Sequence, residues 1–282
     1  MKVLVTGANG YIGKHVVNAL LELGHEVVAV DIFNSGIDKR AKFYEFDLFR
    51  ESDDVFYRLG EPDVCIHLAW RDGFVHNSTN HMGDLSFHYN LLTTMIDCGL
   101  KRLAVMGTMH EVGYWEGAVD ENTPCNPMSM YGIAKNALRQ AMILYCREKD
   151  CKLYWLRAYY ILGDDTRNHS IFAKLLQADK EGKVLFPFTT GKNKYDFITV
   201  DELANQIAIA STQDEIVGII NCCSGKPVSL ADRVEQYIKK NNLKIQLDYG
   251  KFPDRLYDSP IIYGDNKKIQ EIMLKNGHNI LV

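Results

Sequence analysis

VTGANGYIG, residues 5–13, decides the fold. Gly7, Gly10 and Gly13 stand between an apolar strand-like run, KVLVTG, and the stretch KHVVNALLELG, whose apolar spacing is helical and whose stop is Gly24. Glycines in such a turn have three physical uses: a tight bend, close approach of backbone to a pyrophosphate, and close packing of helix on sheet. The open N–H groups and positive dipole end of that helix then receive negative charge. A glycine triplet alone is weak evidence, because glycine also marks plain turns. Here the next strand, HEVVAVD, ends on Asp31, eighteen residues beyond Gly13. That is close to the roughly 20 expected for the acid that meets a ribose 2′-hydroxyl. The stretch therefore reads as a dinucleotide site built from Gly7, Asn9, Gly10, Tyr11, Ile12, Gly13 and Asp31. A carboxylate at position 31 repels a 2′-phosphate, which favours NAD(H). Lys39 and Arg40 lie downstream and leave NADP(H) open.

Working outward, the first 160 or so residues alternate strand and helix. After KFYEFDL come the strand PDVCIHLAW, the helix LSFHYNLLTTMIDCGL, the strand KRLAVMGT, the helix PMSMYGIAKNALRQAMILYCREKD and the strand CKLYWLRAYYILG. Nearly all-apolar strands in strict alternation with helices mean a parallel sheet covered on both faces. The right-handed crossover rule makes that an α/β, Rossmann-type doubly wound fold. Residues 1–163 are read as this dinucleotide-binding domain. Residues 164–282, where the rhythm loosens, are read as a smaller substrate-binding lobe with some chain crossing back.

Bulk properties exclude several classes. The chain has 282 residues, 46% hydrophobic and 24% charged, with a formal net charge of −4. No block of like charge suggests nucleic acid or an anionic membrane as partner. No apolar run approaches the roughly 20 residues of a membrane span. Structure beginning at the second residue leaves no room for a signal peptide. The seven cysteines are odd in number and contain no C-x-x-C pair, so they read as thiols of a cytoplasmic protein, with no metal site.

In MYGIAKNAL, Tyr131 and Lys135 are four apart, which places both on one helix face. A phenol with an ordinary pKa near 10 is a poor acid–base group at neutral pH, and a neighbouring ammonium brings it toward the working range. Thr108 ends the preceding strand.

With these residues together, the chain resembles the extended short-chain dehydrogenase/reductases, in particular the nucleotide-sugar epimerase/dehydratase group. TGANGYIG looks like the glycine motif of that family, FDL (Asp47, Leu48) like its adenine contact, and HLAW (Leu68, Ala69) like its fourth-strand signature. YGIAK looks like its catalytic pair, and FITVDELA and INCCSGKPVSL like later landmarks. The resemblance implies that Tyr131 exchanges a proton with the sugar oxygen, that Lys135 holds the cofactor ribose and tunes Tyr131, and that Thr108 orients the oxygen. A hydroxyl that merely caps its own turn is the alternative for Thr108. A homodimer through the Tyr131 helix is a further implication.

Met109 and His110 occupy the places where family dehydratases carry an acid pair. A thioether transfers no proton, so dehydration is not expected. Glu111 is one residue further on and would point elsewhere on an extended chain. His110, Arg71, Asn168 and Arg255 are candidate substrate contacts, Arg255 through its match to a family arginine that holds the diphosphate. Trp70, Tyr160 and Tyr195 depart from the pattern of the family. The expected activity is NAD(P)H-dependent reduction of a nucleotide-linked 4-keto-6-deoxy sugar. An NAD-dependent 4-epimerase uses the same three residues and stands as the alternative, with a non-catalytic dinucleotide sensor behind both.

Overall fold

The computed structural model describes residues 1–50, 54–163, 170–254 and 258–278. The apolar runs become β1 (Lys2–Thr6), β2 (Glu26–Asp31), β3 (Lys42–Glu45), β4 (Val64–His67) and β5 (Arg102–Thr108). Between them lie α1 (Gly13–Glu22), α2 (Val55–Arg58), α3 (Asn80–Gly83) and α4 (Leu85–Asp97). A short β6 (Gly117–Val119) precedes α5 (Met130–Glu148), β7 (Lys152–Ala158) and β8 (Tyr160–Leu162). The rest supplies α6 (Ile171–Lys180), β9 (Leu185–Pro187), β10 (Lys194–Thr199), α7 (Val200–Thr212) and β11 (Gly218–Cys222). It ends with β12 (Pro227–Ser229), α8 (Leu230–Lys240), β13 (Gln246–Asp248), β14 (Ile261–Gly264) and α9 (Lys267–Lys275).

Seven strands form one parallel sheet in the order β11-β7-β5-β4-β1-β2-β3. Alternation along each strand feeds two cores. Val3, Val5, Val27 and Ala29 face α1, α7 and α9, whereas Leu4, Val28 and Val30 face α2, α4 and α5. This is the doubly wound α/β arrangement expected from the sequence. Strand order reverses between β1 and β4, and the crevice beyond their carboxyl ends is where such sheets take ligands. Gly7 (φ +66°) and Gly13 shape that crevice: a Cβ on Gly13 would lie 2.2 Å from the Gly7 carbonyl oxygen.

A second sheet runs β12-β10-β14-β6 with β8, which follows the carboxyl end of β7, alongside β10. The stretch CKLYWLRAYYILG is two strands, not one. Ala158 is its last residue paired to β5 and β11, and Tyr160–Leu162 pair instead with Phe197–Thr199. The strands β6 and β14 are only three or four residues long, yet they pair with one another. Residues from the second half also return to the first sheet as α7, β11 and α9. Among the described residues, no helix is long and apolar enough to cross a membrane, and the seven cysteines are free.

Candidate active site

β5 delivers Thr108 to the carboxyl edge, 6% exposed. The chain then makes a 3₁₀ turn, Met109–Glu111, rather than continuing extended. Glu111 therefore folds back: its Oε1 accepts the Thr108 N–H at 2.7 Å, while the Thr108 hydroxyl accepts the His110 N–H at 3.3 Å. This reciprocal cap fixes Thr108. Glu111 is fully buried and also accepts from Trp155 Nε1 at 2.9 Å, with Arg157 and Arg139 nearby at 3.5 and 3.4 Å. Its carboxylate is committed to the core and is not presented to a substrate.

α5 opens at Ser129, whose hydroxyl accepts the Gly132 N–H at 3.1 Å. Gly132 is required by close approach, since a Cβ there would lie 2.3 Å from the His110 carbonyl oxygen. The start of the helix is thus seated on the Thr108 turn, bringing Thr108, Tyr131 and Lys135 together. Burial pushes the Tyr131 phenol well above its ordinary value, and the Thr108 hydroxyl, hydrogen-bonded to it, acts in the opposite direction. Tyr131 is accordingly a protonated phenol here. Lys135, 2% exposed, donates from Nζ to the Met106 carbonyl at 2.8 Å. Burial brings its ammonium down to about 7, with Glu111 opposing the shift.

The glycine loop fits a dinucleotide. Asp31 accepts the Asn9 and Ile32 N–H groups at 2.8 and 2.7 Å, fixing its carboxylate at the end of β2. The Asn9 Nδ2 donor is buried with no partner among the described residues, as a ligand-facing group would be. Gly10 closes its turn on the Gly7 carbonyl at 3.0 Å, and Ile12 immediately precedes α1. The buried Tyr11 hydroxyl lies against Gly163, where a Cβ would be 2.0 Å from it. Asp47 accepts the Phe49 N–H at 3.1 Å, and Leu48 is buried beside it. Leu68 and Ala69 extend directly from β4, with the Ala69 N–H donating to Thr6 Oγ1 at 3.3 Å. Arg40 is held by Asp38 and Glu22, at 2.8 Å each.

Residues 3–223 match the NAD dependent epimerase/dehydratase family. The chain belongs to that family. The dTDP-6-deoxy-L-talose 4-dehydrogenase (NAD(+)) of Aggregatibacter actinomycetemcomitans is 45% identical over 273 residues, covering 94% of this chain and 99% of that protein. UDP-arabinose 4-epimerase 1 of Arabidopsis thaliana is 25% identical, over 95% of this chain and 74% of its own. The structure of MoeE5 in complex with UDP-glucuronic acid and NAD superposes with a TM-score of 0.84 at 22% identity, covering 100% of this chain and 94% of that one. The UDP-glucose 4-epimerase of Thermotoga maritima, with UDP-glucose, gives 0.80 at 24%, covering 96% and 92%. At these identities the two structures establish the shared fold.

Within the family framework, the three departures from pattern have structural partners. Tyr160 and Tyr195 pack on one another with ring centroids 4.4 Å apart. Trp70 lies against Lys135, its ring centroid 3.7 Å from Nζ. Of the candidate substrate contacts, His110 is at the site, 6.1 Å from Tyr131 between ring centroids, and burial lowers its pKa to about 3. Arg71 is joined by two hydrogen bonds to Asp84, so its guanidinium braces the loop 71–84. Asn168 and Arg255 lie outside the described residues.

A group of histidines at the site was not read from the sequence. His76 stacks on Tyr131 at 5.7 Å and 16°, and its carbonyl accepts the Tyr131 N–H at 2.9 Å. His81 packs at 5.2 Å from the same ring. Thr6 Oγ1, His67 and His88 form a buried chain with 2.8 Å steps. Burial and the Lys135 charge bring His67 down to about 3, and burial pushes His88 down further. The available signal was density, since five of the nine histidines fall between residues 67 and 110.

Proposed function

We propose that the protein reduces a dTDP-linked 4-keto-6-deoxy sugar at C4, with NADH as coenzyme, through Thr108, Tyr131 and Lys135. The observation that carries this reading is the placement of the Tyr131 phenol beside Thr108 and the buried Lys135, in a site where Glu111, the carboxylate that follows Thr108, is buried under Trp155 and Arg157. Ketone reduction begins with an acid, and Tyr131 is in its acid form. Dehydration requires carboxylic acid–base groups, and Glu111 is withdrawn from that use. The 45%-identical relative bears a name for oxidation at C4 of a dTDP-linked 6-deoxy sugar, the same chemistry run in reverse.

When bound, NADH supplies the hydride. Tyr131 gives its proton to the developing alkoxide, Thr108 orients that oxygen, and Lys135 holds the coenzyme ribose and receives the negative charge left on Tyr131. Gly7, Asn9, Gly10, Tyr11, Ile12, Gly13, Asp47, Leu48, Leu68 and Ala69 line the coenzyme side, and His110 faces the sugar. A homodimer is part of this reading, supported by the exposed apolar Phe87, Ile133 and Leu144 on α4 and α5.

The test is absorbance at 340 nm with NADH and dTDP-4-keto-6-deoxyglucose, or its C3/C5 epimer. Coenzyme oxidation matched by a dTDP-6-deoxyhexose is the expected result. No oxidation with either ketone, together with interconversion of C4 epimers on tightly held NAD, would make the protein an epimerase instead.

Coenzyme preference rests on Asp31, with Arg40 engaged by Asp38 and Glu22. Asp31→Ser removes a carboxylate that repels a 2′-phosphate. It is expected to raise the ratio of kcat/KM for NADPH to that for NADH by about 10- to 100-fold, ~1.4–2.8 kcal/mol. An unchanged ratio would remove Asp31 from that role.

A further inference from the structure

Trp70 replaces the small residue that resemblance led one to expect after HLA, and it touches more of the site than any other departure. Its indole stacks on His88 at 4.2 Å and 14°. That leaves the opposite face for Lys135, whose Nζ lies 3.7 Å from the ring centroid. The indole N–H, which can only donate, points to His81 Nδ1 at 3.0 Å, so His81 donates its other ring N–H to the Val75 carbonyl, also at 3.0 Å. The ring is thereby fixed in plane by His81, backed by His88, and seen edge-on by Tyr131 at 6.1 Å. His88 is held in turn by His67 and Thr6. This buried stack leads from β1 through β4 and α4 to one ammonium.

We propose that Trp70 is a positioning residue for Lys135: its π face holds the ammonium charged and aimed, so that coenzyme binds to a preformed cation. An ammonium 2% exposed has lost its water, and two groups replace it, the Met106 carbonyl and the indole face. Its charged neighbours supply little else. Glu111, on the turn after β5, favours the cation, whereas His67 on β4 and His88 on α4 are neutral, Tyr131 on its own helix is a protonated phenol, and Arg139 pairs with Glu111. With Lys135 brought down to about 7 by burial, a modest loss of cation stabilisation changes how much of it is charged at neutral pH.

Two substitutions separate the π face from mere volume. Trp70→Phe keeps an aromatic plate, and Trp70→Leu keeps an apolar side chain close to Phe in volume without one. NADH affinity is measured by calorimetry between pH 6 and 8.5, with folding checked by thermal melting. Trp70→Phe is expected to bind NADH within about threefold of the parent. Trp70→Leu is expected to bind roughly tenfold more weakly at pH 7.5, within the range of a desolvated cation–π contact, and to recover toward pH 6 as Lys135 regains its proton. Equal affinities for the two variants, or a Trp70→Leu loss that does not change with pH, would reduce Trp70 to packing and overturn the proposal. The readout is coenzyme binding rather than turnover, so the result stands whichever C4 chemistry the enzyme performs.

Discussion

Tyr131→Phe is expected to lower kcat by roughly 10³-fold, within the span that a positioned general acid contributes, while NADH affinity stays within about threefold. Removing one oxygen leaves the ring contacts with His76, His81 and Trp70, so the loop 71–84 remains docked on α5. The backbone bond from the Tyr131 N–H to His76 is also untouched. Ketone reduction then lacks its proton donor: His110, beside Thr108, has its pKa lowered by burial to about 3, so it is neutral and a weak acid at pH 7. The loss should appear in single-turnover NADH oxidation and should not be recovered by raising substrate. Activity above a tenth of the parent in this variant would sink the assignment of Tyr131. A fall in NADH affinity as large as the fall in kcat would mean that the hydroxyl serves binding instead.

The parts of this protein that sequence exposes are those whose chemistry is local. Strand, glycine loop, helix and acid occupy residues 2–31 without interruption, and Tyr131 and Lys135 share one helix face. The periodicities of β1 to β5 and of α4 and α5 are legible for the same reason. What stayed hidden depends on contacts between distant segments. β6 and β14 are too short to show a pattern, and they become strands only through pairing with distant segments, β6 with β14 and β14 with β10. β8 looks continuous with β7 until β10 captures it. Trp70 stood out as unusual, but its meaning lies in Lys135 on one face and His88 on the other. Thr108 was legible as either a cap or a catalytic hydroxyl, and it is placed for both: its N–H closes the turn on Glu111 while its hydroxyl faces Tyr131.

Glu111 was the residue most easily misplaced, because an acid three positions after the strand threonine invites a catalytic reading. The structure makes it a support. Glu111→Ala is expected to destabilise the protein by about 3–5 kcal/mol, the usual cost of stripping the partner from a buried charge. In a chain of this size that lowers the melting temperature by on the order of 10 °C. Arg157 is fully buried beside it and has only the Asp120 carbonyl, at 3.2 Å, as another oxygen partner among the described residues. Arg139, 12% exposed, can turn toward water. Replacing both members of the inner pair, Glu111→Met with Arg157→Met, is expected to recover more than half of the lost stability, because no fully buried charge is then left without a partner. The same series tests mechanism. A catalytic acid at 111 would lose turnover with little change in melting temperature, whereas a support loses stability first, and its loss of activity follows the displacement of Thr108. A double variant as unstable as Glu111→Ala would break the link to Arg157. It would put the weight on the Thr108 and Trp155 N–H groups, which both variants leave without an acceptor.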